Sequence, residues 1–173
     1  MSLKLLALFV LAAPPILAAQ ANAGGAVASV KPHFDRVKSL YVRSAEAMPE
    51  GKYGFRPTPD VRTYGQLLGH VANETYMFCA DAFGTPNPNK TDFEKTASQA
   101  EMVAGLKGAF AYCDAAYGMS DAKAMEQVES MGGKGSRLWL LIYNVTHDSE
   151  HYGNIVTYLR LNGIVPPSSQ RTQ

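Results

Sequence analysis

The sequence predicts an all-α fold, a four-helix bundle in one domain. Apolar residues recur at three- and four-residue spacing over four long segments. No stretch alternates apolar and polar residues for more than a few positions, and clusters rich in glycine and proline separate the segments. At least one connection is long enough for a crossover, which one class of four-helix bundle uses.

The first helix is expected from Ser29 to about Met48, with Val30, Phe34, Val37, Leu40, Tyr41, Ala45 and Met48 on one stripe. Pro32 falls in its first turn, where a missing N–H does no harm, and Pro49-Glu50-Gly51 stops it. Tyr53 to Asp60, with Gly54, Pro57 and Pro59, reads as an extended connector. Thr63 suits the cap of a second helix, about Tyr64 to Phe83, whose stripe is Tyr64, Leu67, Leu68, Val71, Thr75, Phe78 and Ala82. Gly84 to Asn89 ends it, and the segment up to Thr96 is long for a link between helices.

Ser98 suits the cap of a third helix, about Gln99 to Tyr117, with Met102, Leu106, Phe110 and Cys113 on one side. Gly105 and Gly108 lower its intrinsic propensity. Between Gly118 and Gly135 the pattern fades; Ala122 to Val128 suits a short helix and Gly132-Gly133 a break. The last long helix, about Ser136 to Leu161, is the most apolar, which fits a central element. Asn162-Gly163 caps it and Pro166-Pro167 forbids its continuation. Residues 168–173 read as a disordered tail.

The N-terminus reads as a secretory signal peptide over residues 1–23: Lys4, an apolar run from Leu5 to Ala13, Pro14-Pro15, then small residues with Ala-x-Ala sites. That run is shorter than the roughly 20 residues needed to span a bilayer. Cleavage after Ala23 leaves about 150 residues, enough for one domain with its own core. The expected product is exported, periplasmic or secreted, and free of the membrane. Sixteen basic and 15 acidic residues are scattered without a patch, which argues against nucleic acid. A small-molecule ligand and a homodimer are compatible with this composition. Cys79 and Cys113 could pair in an oxidising compartment, and they lack the CxxC spacing of a redox or metal motif.

Only four histidines occur. His147 and His151 lie four apart in the last helix, so their side chains stand about 40° and one turn apart. Two imidazoles so placed can share a metal ion, although the spacing alone serves a structural pair as well. Neutral imidazole accepts zinc, nickel, copper or iron. His70 is the third candidate; like the pair, it sits off the centre of its helix's apolar stripe, as suits a groove between helices. Glu74 follows His70 by one turn and is a candidate base or outer-sphere partner, with Asn73 and Met77 nearby. Asn154 and Tyr158 continue the stripe of His147 and His151. His33, in the first turn of its helix, reads as solvated.

His147-Asp148-Ser149-Glu150-His151 also satisfies the HxxEH pattern of inverted zinc peptidases. Those enzymes need an acidic ligand downstream, and no Asp or Glu follows His151. Glu150 also projects about 100° from His151. Both points argue against a peptidase.

Two stretches, MPEGKYGFRPTPDVRTYGQLLGHVANETYMFC (Met48 to Cys79) and THDSEHYGNIVTYLRLNGIVPPSS (Thr146 to Ser169), resemble the DinB-like (DinB/YfiT-like) superfamily, in particular its exported single-domain members. The mid-chain GHV histidine and the late HxxxH followed by YGN and GIVPPSS carry the likeness, which is weaker from Pro86 to Gly135. The resemblance implies an up-down-down-up bundle over residues 24–167. It also implies a metal site of His70, His147 and His151, and it places Cys79 and Cys113 toward matching helix ends, which favours a disulfide. Relatives include transferases and isomerases that use bacillithiol, mycothiol or glutathione, with a metal that favours the nucleophilic thiolate. The expectation is therefore a divalent metal, zinc or nickel, together with a small thiol, in a metal-dependent thiol S-transferase or a hydrolase. Three histidine ligands leave a coordination position open, as catalytic sites do. The rival reading is a non-enzymatic metal-binding or interaction protein of the periplasm.

Overall fold

The computed structural model describes residues 24–96 and 98–170. The signal peptide expected at residues 1–23 lies outside the described residues. Five helices form: α1 (Ala26–Ala47), α2 (Tyr64–Phe83), α3 (Gln99–Asp114), the four-residue α4 (Asp121–Ala124) and α5 (Arg137–Leu161).

The local signals in the sequence set most of these ends. Thr63 Oγ1 accepts the Gln66 N–H at 3.2 Å and Gln66 Oε1 accepts the Thr63 N–H at 3.0 Å, a reciprocal capping box. Ser98 and Ser136 cap α3 and α5, accepting the N–H of Glu101 and Trp139 at 3.1 Å each. Gly84 takes φ +70°, and the Thr85 N–H closes back onto the Ala80 carbonyl at 3.0 Å. Gly163 ends α5 in the same left-handed conformation, with φ +74°.

Three local expectations need correction. α1 starts at Ala26 rather than Ser29, because the Asp121 carboxylate accepts the N–H groups of Ala26 and Val27 at 2.8 and 3.1 Å. An anion at a helix N-terminus satisfies donors that would otherwise fray. Residues 125–128 do not continue a helix: β1 (Gln127–Ser130) and β2 (Gly133–Ser136) pair antiparallel, with Gln127 opposite Ser136. Met131 and Gly132 form the two-residue turn with φ +51° and +77°, the combination that suits a tight hairpin. The fold is therefore mostly helical with one small hairpin. Residues 168–170 are not a loose tail either. Pro167–Ser169 make a 3-10 turn, the Ser168 N–H donates to the Tyr152 hydroxyl at 3.1 Å, and Arg43 binds Gln170.

α2 packs against α3 and α5, and α1 packs against the same two helices. Phe34, Tyr41, Tyr64, Phe78, Phe110, Tyr117, Leu140 and Leu141 fill the space between them. Four tyrosines tie the helices by donating to backbone carbonyls: Tyr41 to Asp148, Tyr53 to Ala45, Tyr64 to Ser44 and Tyr117 to Leu141, at 2.7–2.8 Å. A buried hydroxyl without such a partner would destabilise the core by about 1–3 kcal/mol. Cys79 of α2 and Cys113 of α3 form a disulfide with Cα atoms 5.4 Å apart. No helix among the described residues is long and apolar enough to cross a membrane.

Candidate metal centre

α2 and α5 face each other with their histidines in register. His147 and His151 project one turn apart from α5, and His70 meets them from α2. The ring centroids are 4.4 Å apart for His147 and His151, 4.9 Å for His70 and His151 and 5.3 Å for His70 and His147. One nitrogen from each ring lies within 4.8 Å of the other two, so the three histidines could hold a single metal ion.

The fit can be judged from the protein atoms. Nε2 of His147 and Nε2 of His151 face each other at 3.1 Å. Two neutral imidazoles can place at most one proton between them, whereas a shared cation satisfies both lone pairs. Phe78 and Tyr143 pack edge-on and stacked against the His147 ring, limiting its rotation. Burial, followed by the nearby His147 and His70, pushes the His151 imidazole down to about 4. Burial and Arg62 also hold His70 below its usual value, partly offset by Glu74 and Glu94. Both rings are therefore neutral at physiological pH, the form that ligates metals. The donor set fits a borderline divalent cation such as zinc.

Carboxylates surround the triad. Glu94 Oε1 lies 3.1 Å from His70 Nδ1, and Arg62 Nε binds Glu94 Oε2 at 3.1 Å. Asp148 is completely buried beside His147, with its Oδ1 3.9 Å from His147 Nδ1. Neither Asp148 oxygen nor the Nδ1 atoms of His147 and His151 have a hydrogen-bond partner among the described residues. Burial raises the Asp148 carboxyl to about 6 against the lowering effect of His147. A buried carboxylate without donors is costly unless positive charge lies close, which a dication at the triad would supply.

The expected neighbours divide differently. Glu74 is half-buried and makes no hydrogen bond to the three histidines among the described residues; the carboxylate that contacts His70 is that of Glu94. Asn73 faces the 89–94 loop instead of the triad. Its Oδ1 accepts the Phe93 N–H at 3.1 Å, and its Nδ2 donates to Asp92 Oδ1 at 3.1 Å. Asn154 and Tyr158 do border the site: with Pro57, Asp60, Arg62 and His151 they line an open groove of about 430 Å³. His33 is exposed, as expected, and Glu150 is exposed too. Asp148 was present in the HDSEH stretch, but its burial follows from packing. Glu94 carried no signal, because it lies 24 residues from His70 on an irregular loop.

The DinB superfamily model matches residues 33–155. A search of curated proteins found no significant match. A crystal structure of a DinB-like protein from Bacillus cereus ATCC 10987 aligns at TM-score 0.69 and 11% identity, covering 80% of this chain and 93% of that one. A DinB-like protein from Bacillus subtilis aligns at TM-score 0.57 and 20% identity, covering 83% and 99%. At these identities the two structures speak for the fold alone, while the family match spans well over half of the sequence and includes His70, His147 and His151: the chain belongs to the DinB superfamily.

Proposed function

We propose that His70, His147 and His151 bind one divalent metal ion, zinc or nickel. In this reading the protein is a metal-dependent enzyme, a thiol S-transferase or a hydrolase, acting on a small molecule in the groove beside His151. The convergence of three imidazoles from two helices, with two Nε2 atoms 3.1 Å apart, carries this reading. A divalent ion there would lower the pKa of a thiol or of water, the chemistry that both reactions need. The groove borders only the His151 side, so a ligand would approach from there, past Arg62, Asn154 and Tyr158. Phe78 and Tyr143 close the other side over His147 and keep it drier.

The same reading places the four long helices in up-down-down-up order within one domain, residues 24–167. Pairings along the helices support it. The Tyr76 hydroxyl of α2 lies over Gly108 of α3 and Cys79 bonds Cys113, in ascending order on both. Lys38 meets Asp114 and Glu46 meets Lys107, so α1 and α3 are opposed. Phe78 meets Tyr143 while His70 meets His151, so α2 and α5 are opposed as well. Export is part of the proposal, supported by the Cys79–Cys113 disulfide, a bond typical of oxidising compartments.

Metal analysis of untagged protein from its own compartment tests the centre. The expected result is one zinc or nickel per chain, lost in the His147→Ala, His151→Ala double variant. Metal-free native protein that also fails to take up either ion in vitro would overturn the reading.

A further inference from the structure

Resting on the metal-centre reading above, we propose that Glu94, carried by the loop between α2 and α3, is the positioning carboxylate of His70. An ionised carboxylate can only accept, so the 3.1 Å contact between Glu94 Oε1 and His70 Nδ1 requires the proton on Nδ1. Neutral His70 then carries its lone pair on Nε2, free to face the other two rings. Carboxylates in this position fix the tautomer and orientation of metal-binding histidines and raise their basicity.

The contact is built rather than incidental. Arg62 holds the carboxylate in place, donating to Oε2 through Nε at 3.1 Å and more distantly to Oε1 through Nη2 at 3.5 Å, beside the His70 contact. Glu94 sits in the 3-10 turn Phe93–Lys95, whose start is capped by Asp92, with the Glu94 N–H donating to Asp92 Oδ1 at 3.2 Å. Asn73, three residues after His70 on α2, pins the same turn through both Asp92 and the Phe93 N–H. Two glycines admit the turn. A Cβ at Gly69 would collide with the Phe93 carbonyl, and one at Gly105 with the Phe93 ring. The residue before His70 is thus the notch through which the loop backbone approaches α2. The long connection between α2 and α3 becomes a strap that delivers one carboxylate.

Three proteins test the assignment: wild type, Glu94→Ala and Glu94→Gln. Zinc affinity is measured by competition with a chromophoric chelator, and the His70 tautomer by ¹⁵N NMR of the zinc-free protein. Glu94→Ala is expected to weaken zinc binding by about 10–100-fold and to release His70 from the Nδ1–H form. Glu94→Gln should recover most of both, since its amide oxygen accepts the same N–H. A merely structural role would move neither the tautomer nor its rescue by glutamine. If wild type binds zinc and Glu94→Ala binds it equally well, or if His70 keeps its tautomer in Glu94→Ala, the assignment is overturned while the metal centre stands. If wild type binds neither zinc nor nickel, the metal centre itself falls, and this assignment with it.

Discussion

Breaking the Cys79–Cys113 bond should weaken the fold without disturbing the proposed metal centre. The bond spans 34 residues between α2 and α3. The chain-entropy relation for a loop of that length gives about 4 kcal/mol of stabilisation at 25 °C. A domain of this size loses about 2–4 °C of Tm per kcal/mol, so the Cys79→Ala, Cys113→Ala variant should melt about 8–16 °C lower. Both side chains are fully buried, and replacing them with alanine adds a small packing loss in the same direction. The centre is spared because Cys79 follows His70 by nine residues on α2, about 13 Å along the helix axis. It lies beyond Phe78, which packs on His147. Chemical denaturation of wild type with and without reductant, beside the double variant, measures the stability. A zinc titration of each folded form measures the site. A stability loss below about 1 kcal/mol would refute the entropic account. Loss of zinc binding by protein that is still folded would refute the separation of the bond from the site.

Other outcomes follow from particular contacts. Gly69→Ala should push the 93–95 turn off α2, costing about 1–3 kcal/mol by denaturation and weakening zinc binding in parallel with Glu94→Ala. Thr63→Ala removes half of the α2 capping box and should cost about 1 kcal/mol in urea unfolding. Met131 is half-exposed and held at φ +51°, so Met131→Asn, which gives the Asn-Gly pair favoured in such turns, should stabilise the protein by up to about 1 kcal/mol; hydrogen exchange in β1 and β2 checks it. Asp121→Ala leaves the N–H groups of Ala26 and Val27 without their acceptor. Faster exchange of the amides in the first turn of α1, with the rest of that helix unchanged, is the expected signature.

The residues that could be placed from the sequence and those that could not differ in the range of the forces that place them. The long helices were legible because a 3.6-residue period, a serine or threonine cap and a terminal glycine act within one or two turns. Thr63, Ser98, Ser136 and Gly84 behave as their local chemistry demands. The hairpin at residues 127–136 escaped because its strands are four residues long and its turn is Met-Gly, with only one residue suited to positive φ. α1 starts early because its cap comes from Asp121, 95 residues from Ala26.

The site divides along the same line. His147 and His151 lie on one rigid helix, so their shared face is encoded by a spacing of four, and the sequence by itself determined that half of the histidine cluster. Family resemblance added His70, but only the packing of α2 on α5 brings its ring within 4.9 Å of His151. The carboxylate in contact with His70 Nδ1 is that of Glu94, at 3.1 Å, and not that of Glu74. A one-turn spacing fixes only that two side chains share a helix face; whether they touch depends on what else packs there. A loop glutamate 24 residues away reaches the ring because Gly69 and Gly105 lack a Cβ and Asn73 holds the turn. Local spacing fixes direction along a helix, whereas contact between distant segments depends on how closely their backbones can approach, and that was decided only by the tertiary structure.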